Sequence, residues 1–146
     1  MKDFEQLPHT ADLKIRVYGV TREKLFEHAV IGMFQVIHPK IPACRIEHER
    51  IVCDELPIVH EVEVRSFDEL SLLVDFLSEA LYLSDVHNEA YLAAQVHEMS
   101  NTYVRATLHG IGITGFEVVE IKAVTYHEME ITQVDGVWQA DIVFDI

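Results

Sequence analysis

A long, strongly apolar stretch in the middle of the chain constrains its fold more than any other feature. The pattern predicts a helix that begins near Asp68 and ends near Ser84. Its apolar residues are Leu70, Leu72, Leu73, Val74, Phe76, Leu77, Ala80, Leu81 and Leu83. Successive residues of a helix are about 100° apart, so these side chains cover more than half of its circumference. A helix with so wide an apolar face must be deeply buried.

The rest of the pattern predicts one more helix and several strands. Thr21 is a suitable N-cap for a helix that continues to about Ile37, and Pro39 stops it. Alternating apolar and polar residues predict the strands. They cover residues 13–18, 46–53, 58–65, 91–97, 103–109, 126–134 and 137–144.

Turn residues indicate which strands pair. Pro57 separates residues 46–53 from 58–65, which we expect to pair with each other through a short turn. A hairpin is expected around Ser100, and the Asp-Gly pair at 135–136 is the strongest hairpin signal of the chain. Three glycines after the strand 103–109 predict a flexible connection. They are Gly110, Gly112 and Gly115.

The order of elements indicates the fold class. Two helices cannot cover both faces of so many strands, so the helices should lie together on one side. We therefore expect an α+β fold with a mixed or antiparallel β-sheet and two main helices packed on one face. No linker interrupts the pattern, and residues 1–146 are expected to form a single domain.

Composition limits the classes of partner and compartment. The 146 residues carry a formal net charge of -14, which disfavours direct nucleic-acid binding and favours basic proteins and divalent cations. We expect no signal peptide, because residues 1–5 lead into no apolar run, and no membrane span, because no stretch approaches the roughly 20 apolar residues that one needs. We expect a soluble cytoplasmic protein. Cys44 and Cys53 could form a disulfide, but we expect thiols, because disulfides are rare in reducing compartments.

The two ends of the chain contain the residues of a candidate metal site. Asp12 lies just before the first predicted strand, and Asp145 is followed only by Ile146. If the first and last strands are neighbours, two carboxylates and the terminal carboxylate would come together. Such oxygen ligands favour calcium or magnesium over zinc.

Four segments of the sequence resemble the archease family. They are His-Thr-Ala-Asp at 9–12, the helical run at 72–81, Ile-Lys-Ala-Val-Thr-Tyr-His-Glu-Met at 121–129, and the ending at 138–146. Their order, the acidity and the length agree with that family over nearly the whole chain. The resemblance implies a cytosolic, non-catalytic accessory protein of the tRNA-splicing RNA ligase. It would speed the loading of guanylate onto the ligase and permit multiple turnover.

The resemblance also implies a site. The divalent cation would be held by Asp12, Asp145 and backbone oxygen of Ile146, with calcium the first choice and magnesium or manganese the alternatives. Lys122 could contact a phosphate or pair with a neighbouring carboxylate. Tyr126, in the same family segment, is a candidate for a partner or phosphate contact. His9 and His127 are also candidates for a partner or phosphate contact. They could orient ligating carboxylates or carry protons, and a purely structural role is open for both.

Two other functions are compatible with parts of the sequence. Asp12 and Asp145 could serve a metal-dependent hydrolase, but no phosphate-binding loop or nucleophile motif accompanies them. An acidic, chaperone-like module could instead protect basic RNA-processing proteins from aggregation. Asp75 and Glu79 are one helical turn apart and could extend a metal site or form an acidic face towards solvent or a partner.

Overall fold

The computed structural model describes residues 2–8 and 12–146, in which two helices and nine strands are present. In chain order they are β1 (Phe4–Leu7), β2 (Leu13–Gly19), α1 (Arg22–Val36), β3 (Arg45–Glu47), β4 (Arg50–Val52), β5 (Ile58–Arg65), α2 (Glu69–His87), β6 (Glu89–Met99), β7 (Tyr103–Gly112), β8 (Ala123–Val134) and β9 (Val137–Asp145).

The strands form antiparallel sheets around the two helices. The larger sheet has the order β1-β2-β9-β8, and a second sheet has the order β5-β7-β6. Strands β3 and β4 form a small separate hairpin. Each helix contacts strands of both larger sheets, and the core lies between these layers. The expected α+β class, with antiparallel strands and two main helices, is confirmed.

Helix α1 joins the two sheets. Thr21 is its N-cap, and the Thr21 hydroxyl accepts a hydrogen bond from the backbone N–H of Lys24. The helix packs against β2 on one side and β6 on the other, so most of its residues are buried. Even its Glu27 carboxylate is buried, where it accepts a hydrogen bond of 2.9 Å from the backbone N–H of Val96.

Helix α2 buries six of the nine residues of its predicted apolar face, whereas Leu81 and Leu83 are half-buried and Leu70 is exposed. Asp68 caps it by accepting the N–H of Ser71, and this hydrogen bond lowers the pKa of the Asp68 carboxyl. Its Phe76 ring lies 5.6 Å from that of Phe26 in α1. The helix continues past the predicted end at Ser84 to His87, and Asn88 ends it in the left-handed conformation.

The predicted pairing of residues 46–53 with 58–65 is wrong. Residues 45–52 fold back on themselves as β3 and β4, because His48 and Glu49 both adopt positive φ and make a tight turn. Strand β5 pairs with β7 instead. The short edge strand β1 was not predicted, since its four residues show no alternation.

Two of the three glycines expected in a flexible connection lie inside β7. A Cβ atom on Gly110 would come within 2.3 Å of the carbonyl oxygen of Ala90 in β6. Gly110 therefore permits a close approach of two backbones, and does not mark a loop. Gly115 alone lies outside the strands and has a positive φ.

The expectation of two free thiols is wrong. Cys44 and Cys53 form a disulfide, with their Cα atoms 4.5 Å apart. The pairing of Arg45 with Val52 at the open end of the β3-β4 hairpin places the two cysteines opposite each other. As for membranes, neither helix in residues 2–8 and 12–146 is long and apolar enough to span a bilayer.

Candidate metal site at the ends of β2 and β9

The register of β2 and β9 brings Asp12 and Asp145 to the same end of the larger sheet. Leu13 pairs with Phe144, and both side chains are buried. Asp12 precedes that pair on one strand and Asp145 follows it on the other, so the two aspartates occupy adjacent positions. Because side chains alternate along a strand, both positions belong to the face opposite Leu13 and Phe144.

Strand β8 supplies a third element to this end. The backbone N–H of Lys122 donates a hydrogen bond of 2.7 Å to the carbonyl oxygen of Asp145, and Ala123 pairs with Asp145. The Lys122 side chain is exposed. Ile146 is partly buried against the core, which fixes the position of its backbone next to the two aspartates. The structure thus brings together four of the predicted site residues.

The other predicted residues have different positions. Tyr126 and His127 lie in an irregular part of β8 where the register with β9 shifts between Thr125 and Glu130. The Tyr126 side chain is 56% exposed, and the His127 imidazole lies 3.8 Å from the Glu128 carboxylate. Both residues follow Thr125, which pairs with Val143 near the Asp145 end. His9 lies outside the described residues.

Two ion pairs lie on the same sheet as the candidate site. The Arg16 guanidinium makes two contacts with Asp141, of 2.7 and 3.0 Å, directly across β2 and β9. Hydrogen bonding to the Asp141 carboxylate raises the pKa of Arg16. Lys14 lies 3.2 Å from Glu128. Sequence reasoning missed both pairs, although the alternation of residues 13–18 placed Lys14 and Arg16 on the polar face.

The donor atoms of this end fit a hard cation. Asp12 and Asp145 offer carboxylate oxygen, and Ile146 offers backbone oxygen. Within residues 2–8 and 12–146, no three His, Cys, Asp or Glu side chains converge in a way that could hold a metal. A cation here would therefore need backbone and water oxygen besides the two carboxylates, which calcium and magnesium accept. Zinc, which prefers nitrogen and sulfur ligands, fits poorly.

Asp75 and Glu79 of α2, which could have extended the site, form no metal-binding group with these residues within residues 2–8 and 12–146. The Asp75 carboxylate accepts a hydrogen bond of 2.8 Å from the hydroxyl of Ser66, at the connection between β5 and α2. Asp75 thus stabilises that connection. Glu79, one turn further along the helix, is half-buried.

The fold and site define a small α+β protein with antiparallel sheets and an oxygen-rich end formed by three neighbouring strands. A model of the Archease protein family (MTH1598/TM1083) matches residues 4–146, and the chain belongs to this family. The archease of Methanosarcina barkeri is 39% identical over 153 aligned residues, covering 99% of this chain and 97% of that protein. The archease of Pyrococcus furiosus is 33% identical, with full coverage of both chains.

Solved structures agree with this assignment. The solution structure of Methanobacterium thermoautotrophicum protein 1598 is similar over the full length of both chains, with a TM-score of 0.72 and 29% identity. The crystal structure of a Thermotoga maritima protein described as an archease, possible chaperone, has a TM-score of 0.62 and 18% identity. The superposition covers 97% of this chain and 96% of the Thermotoga maritima chain, and the likeness concerns the fold alone.

Proposed function

We propose that this protein is a non-catalytic activator of the tRNA-splicing RNA ligase, acting in the cytoplasm. It would promote guanylylation of the ligase and multiple turnover in the joining of tRNA exons. The observation that carries the proposal is the convergence of Asp12 and Asp145 at one end of the sheet, in a chain of the Archease family.

A divalent cation is part of the proposal. Asp12, Asp145 and backbone oxygen of Ile146 would hold it, with calcium preferred and magnesium or manganese as alternatives. When bound, the cation would supply a compact positive charge that neutralises the two aspartates and can attract an anionic oxygen of the partner. The chain's own contribution is positional: the β2-β9 register holds both aspartates at one exposed end of the sheet.

The mechanism follows from what an activator must do. It can shift the ligase towards its guanylylation-competent state only by contacting that state better than the others. The end that contains Asp12 and Asp145 would abut the nucleotide-binding cleft of the ligase. The exposed Lys122, which has no ion pair within the described part of the chain, would lie near a phosphate. The net charge of -14 would steer the protein towards a basic partner, so association should slow as salt increases.

The net charge of -14 also supports a second candidate function. An acidic, chaperone-like module would protect basic RNA-processing proteins from aggregation, and one protein of the same fold is described as a possible chaperone. Such a module must be present in amounts similar to its client. An activator, in contrast, acts on many ligase molecules in turn.

The stoichiometry of the effect separates these functions. We would measure ligase guanylylation with radiolabelled GTP, at one activator per twenty ligase molecules, and follow ligase solubility by light scattering in the same samples. Activation predicts a faster guanylylation rate at unchanged scattering. Lower scattering with an unchanged rate per soluble ligase would contradict activation and support the chaperone.

The metal is tested by calorimetric titration with calcium. Asp145→Asn keeps the size of the side chain but removes one charged ligand, so affinity should fall by at least tenfold. Asp135→Asn is the matched control, because Asp135 lies in the β8-β9 turn at the other end of β9. Equal calcium affinity in both variants would remove Asp145 from the site.

A further inference from the structure

A cavity of about 420 Å³ opens between the second half of α2 and residues 116–124. Its lining has an apolar part and a polar part. Leu81, Phe116 and Ile121 are buried or half-buried, whereas Tyr82 and Asp85 are exposed. The volume is in the range of ligand-binding cavities, about 300–1,000 Å³, and the mixture of apolar and polar side chains is typical of them.

The cavity adjoins the candidate metal site. Lys122 and Ala123 belong to its lining. The backbone N–H of Lys122 is bonded to the carbonyl oxygen of Asp145, and Ala123 pairs with Asp145. A partner that contacts the Asp145 end can therefore reach the cavity as well.

The charges around the cavity favour a cationic occupant. Asp85 and Glu120 are exposed, and within residues 2–8 and 12–146 neither forms an ion pair. Asp85 also lies in the last turn of α2, where the helix dipole adds negative potential. Lys122 is the one cationic side chain of the lining, and the whole chain carries -14. A phosphate inside the cavity would lie near two carboxylates and only one ammonium group, so its binding there is disfavoured.

Tyr82 gives the mouth of the cavity an aromatic surface. Its side chain is 60% exposed, next to the exposed last turn of α2. An exposed tyrosine ring can stack on an arginine guanidinium and is a frequent centre of protein–protein contacts. Apolar lining, an aromatic mouth and two unpaired carboxylates suit a basic protein segment with an apolar anchor.

We propose that this cavity receives an apolar side chain from a basic segment of the partner protein, with flanking arginine or lysine contacting Asp85, Glu120 and Tyr82. The inference rests on the proposed function, in which that partner is the RNA ligase. It divides two tasks between neighbouring surfaces. The cavity determines the affinity for the ligase, and the Asp12/Asp145 end determines the guanylylation rate of the complex.

Two kinds of variant test the cavity. Ser78→Phe places a large side chain on the cavity lining, and Tyr82→Ala removes an exposed ring from its mouth without disturbing the core. Asp85→Lys reverses a charge at the mouth. Glu79→Lys is its matched control, since Glu79 lies on α2 outside the cavity lining and the net charge changes by the same amount.

Binding of each labelled variant to the ligase would be measured by fluorescence anisotropy, and thermal melting would verify that each is folded. We expect Ser78→Phe, Tyr82→Ala and Asp85→Lys to weaken binding by about tenfold, and Glu79→Lys by less than about threefold. At saturating concentration, all four should give the guanylylation rate of the wild type. A lower saturating rate in the cavity variants would overturn the division of tasks.

Other outcomes would overturn the proposal itself. Unchanged affinity in folded Ser78→Phe and Tyr82→Ala would exclude the cavity, while the proposed function could still stand. Equal losses in Asp85→Lys and Glu79→Lys would mean that net charge acts without a local contact. Binding of GTP to the isolated protein, lost in Ser78→Phe, would assign the cavity to a nucleotide. If the wild type binds the ligase but does not activate it, the proposed function fails. The affinities of the variants then still show whether the cavity is the binding site.

Discussion

The ion pair between Arg16 and Asp141 should make a measurable contribution to the pairing of β2 and β9. The two residues are directly opposite in register. They form the fourth pair of the β2-β9 ladder, counted from the Leu13–Phe144 pair next to the Asp12/Asp145 end. The guanidinium makes two contacts with the carboxylate, at 2.7 and 3.0 Å, and the side chains are 33% and 18% exposed. This geometry favours a strong, bidentate hydrogen-bonded pair.

Its magnitude follows from geometry and exposure. Hydrogen bonds to charged groups contribute about 1.5–3 kcal/mol when buried, and exposed ion pairs contribute about 0–1 kcal/mol. Because both side chains are partly exposed, solvent screening lowers the value below the buried range. We expect a coupling free energy of about 1–2 kcal/mol between Arg16 and Asp141.

A second cross-strand pair provides the control. Arg105 and Glu98 are also opposite each other, on β7 and β6, but their single contact is 3.7 Å long and the side chains are 44% and 63% exposed. We expect a coupling free energy below about 0.5 kcal/mol for this pair.

The assay is a double-mutant cycle for each pair, in which every partner is replaced by alanine and the free energy of unfolding is measured in urea. The cycle isolates the interaction between the two side chains from the other effects of each truncation. Equal coupling in the two pairs, or coupling near zero for Arg16 and Asp141, would refute the reasoning from geometry and burial.

Two further predictions concern the packing that supports the sheets. The buried Gln35 side chain makes hydrogen bonds with both the N–H and the carbonyl oxygen of Ile51. Gln35→Leu should therefore lower the free energy of unfolding, measured in urea, by about 2 kcal/mol, whereas Gln95→Leu at an exposed position of β6 should lower it by less than about 0.5 kcal/mol. Equal effects would contradict a role for those hydrogen bonds. Gly110→Ala should lower the melting temperature, because its Cβ would lie 2.3 Å from the carbonyl oxygen of Ala90, and an unchanged melting temperature would show that β6 and β7 separate easily.

The sequence was a good guide to elements that depend on local chemistry. Thr21 was predicted as an N-cap because its side chain can satisfy a free N–H group at a helix start, and the start of α2 near Asp68 was predicted from the apolar pattern. The turn at 135–136 was predicted because Asp and Gly accept the positive φ that a tight hairpin requires. Each of these features depends on a few consecutive residues.

Pairings between distant segments could not be predicted in the same way. Strand β5 resembles a partner for the preceding strand in its alternation, but it pairs with β7, which provides a longer ladder and a buried face. The small β3-β4 hairpin depends on Gln35 of α1, which bonds the backbone of Ile51. Such contacts join residues whose proximity only the complete fold determines.

In the candidate site, too, the residue types could be predicted from the sequence, but the contacts between distant segments could not. The residue types at 12 and 145 pointed to a hard cation, but their proximity was conditional on neighbouring strands. The β2-β9 register satisfies that condition. The backbone bond from Lys122 to Asp145, and the cavity beside it, have no signal in the sequence, because they arise where β8 contacts α2 on one side and the end of β9 on the other.

The central claim is that the Asp12/Asp145 end activates the ligase, and one measurement tests it most directly. This is the single-turnover guanylylation rate of the ligase with saturating wild type, Asp145→Asn or Asp135→Asn. We predict full activation by wild type and by Asp135→Asn, and a rate with Asp145→Asn no higher than that of the ligase alone, although all three bind it. Full activation by a folded Asp145→Asn variant would contradict the claim.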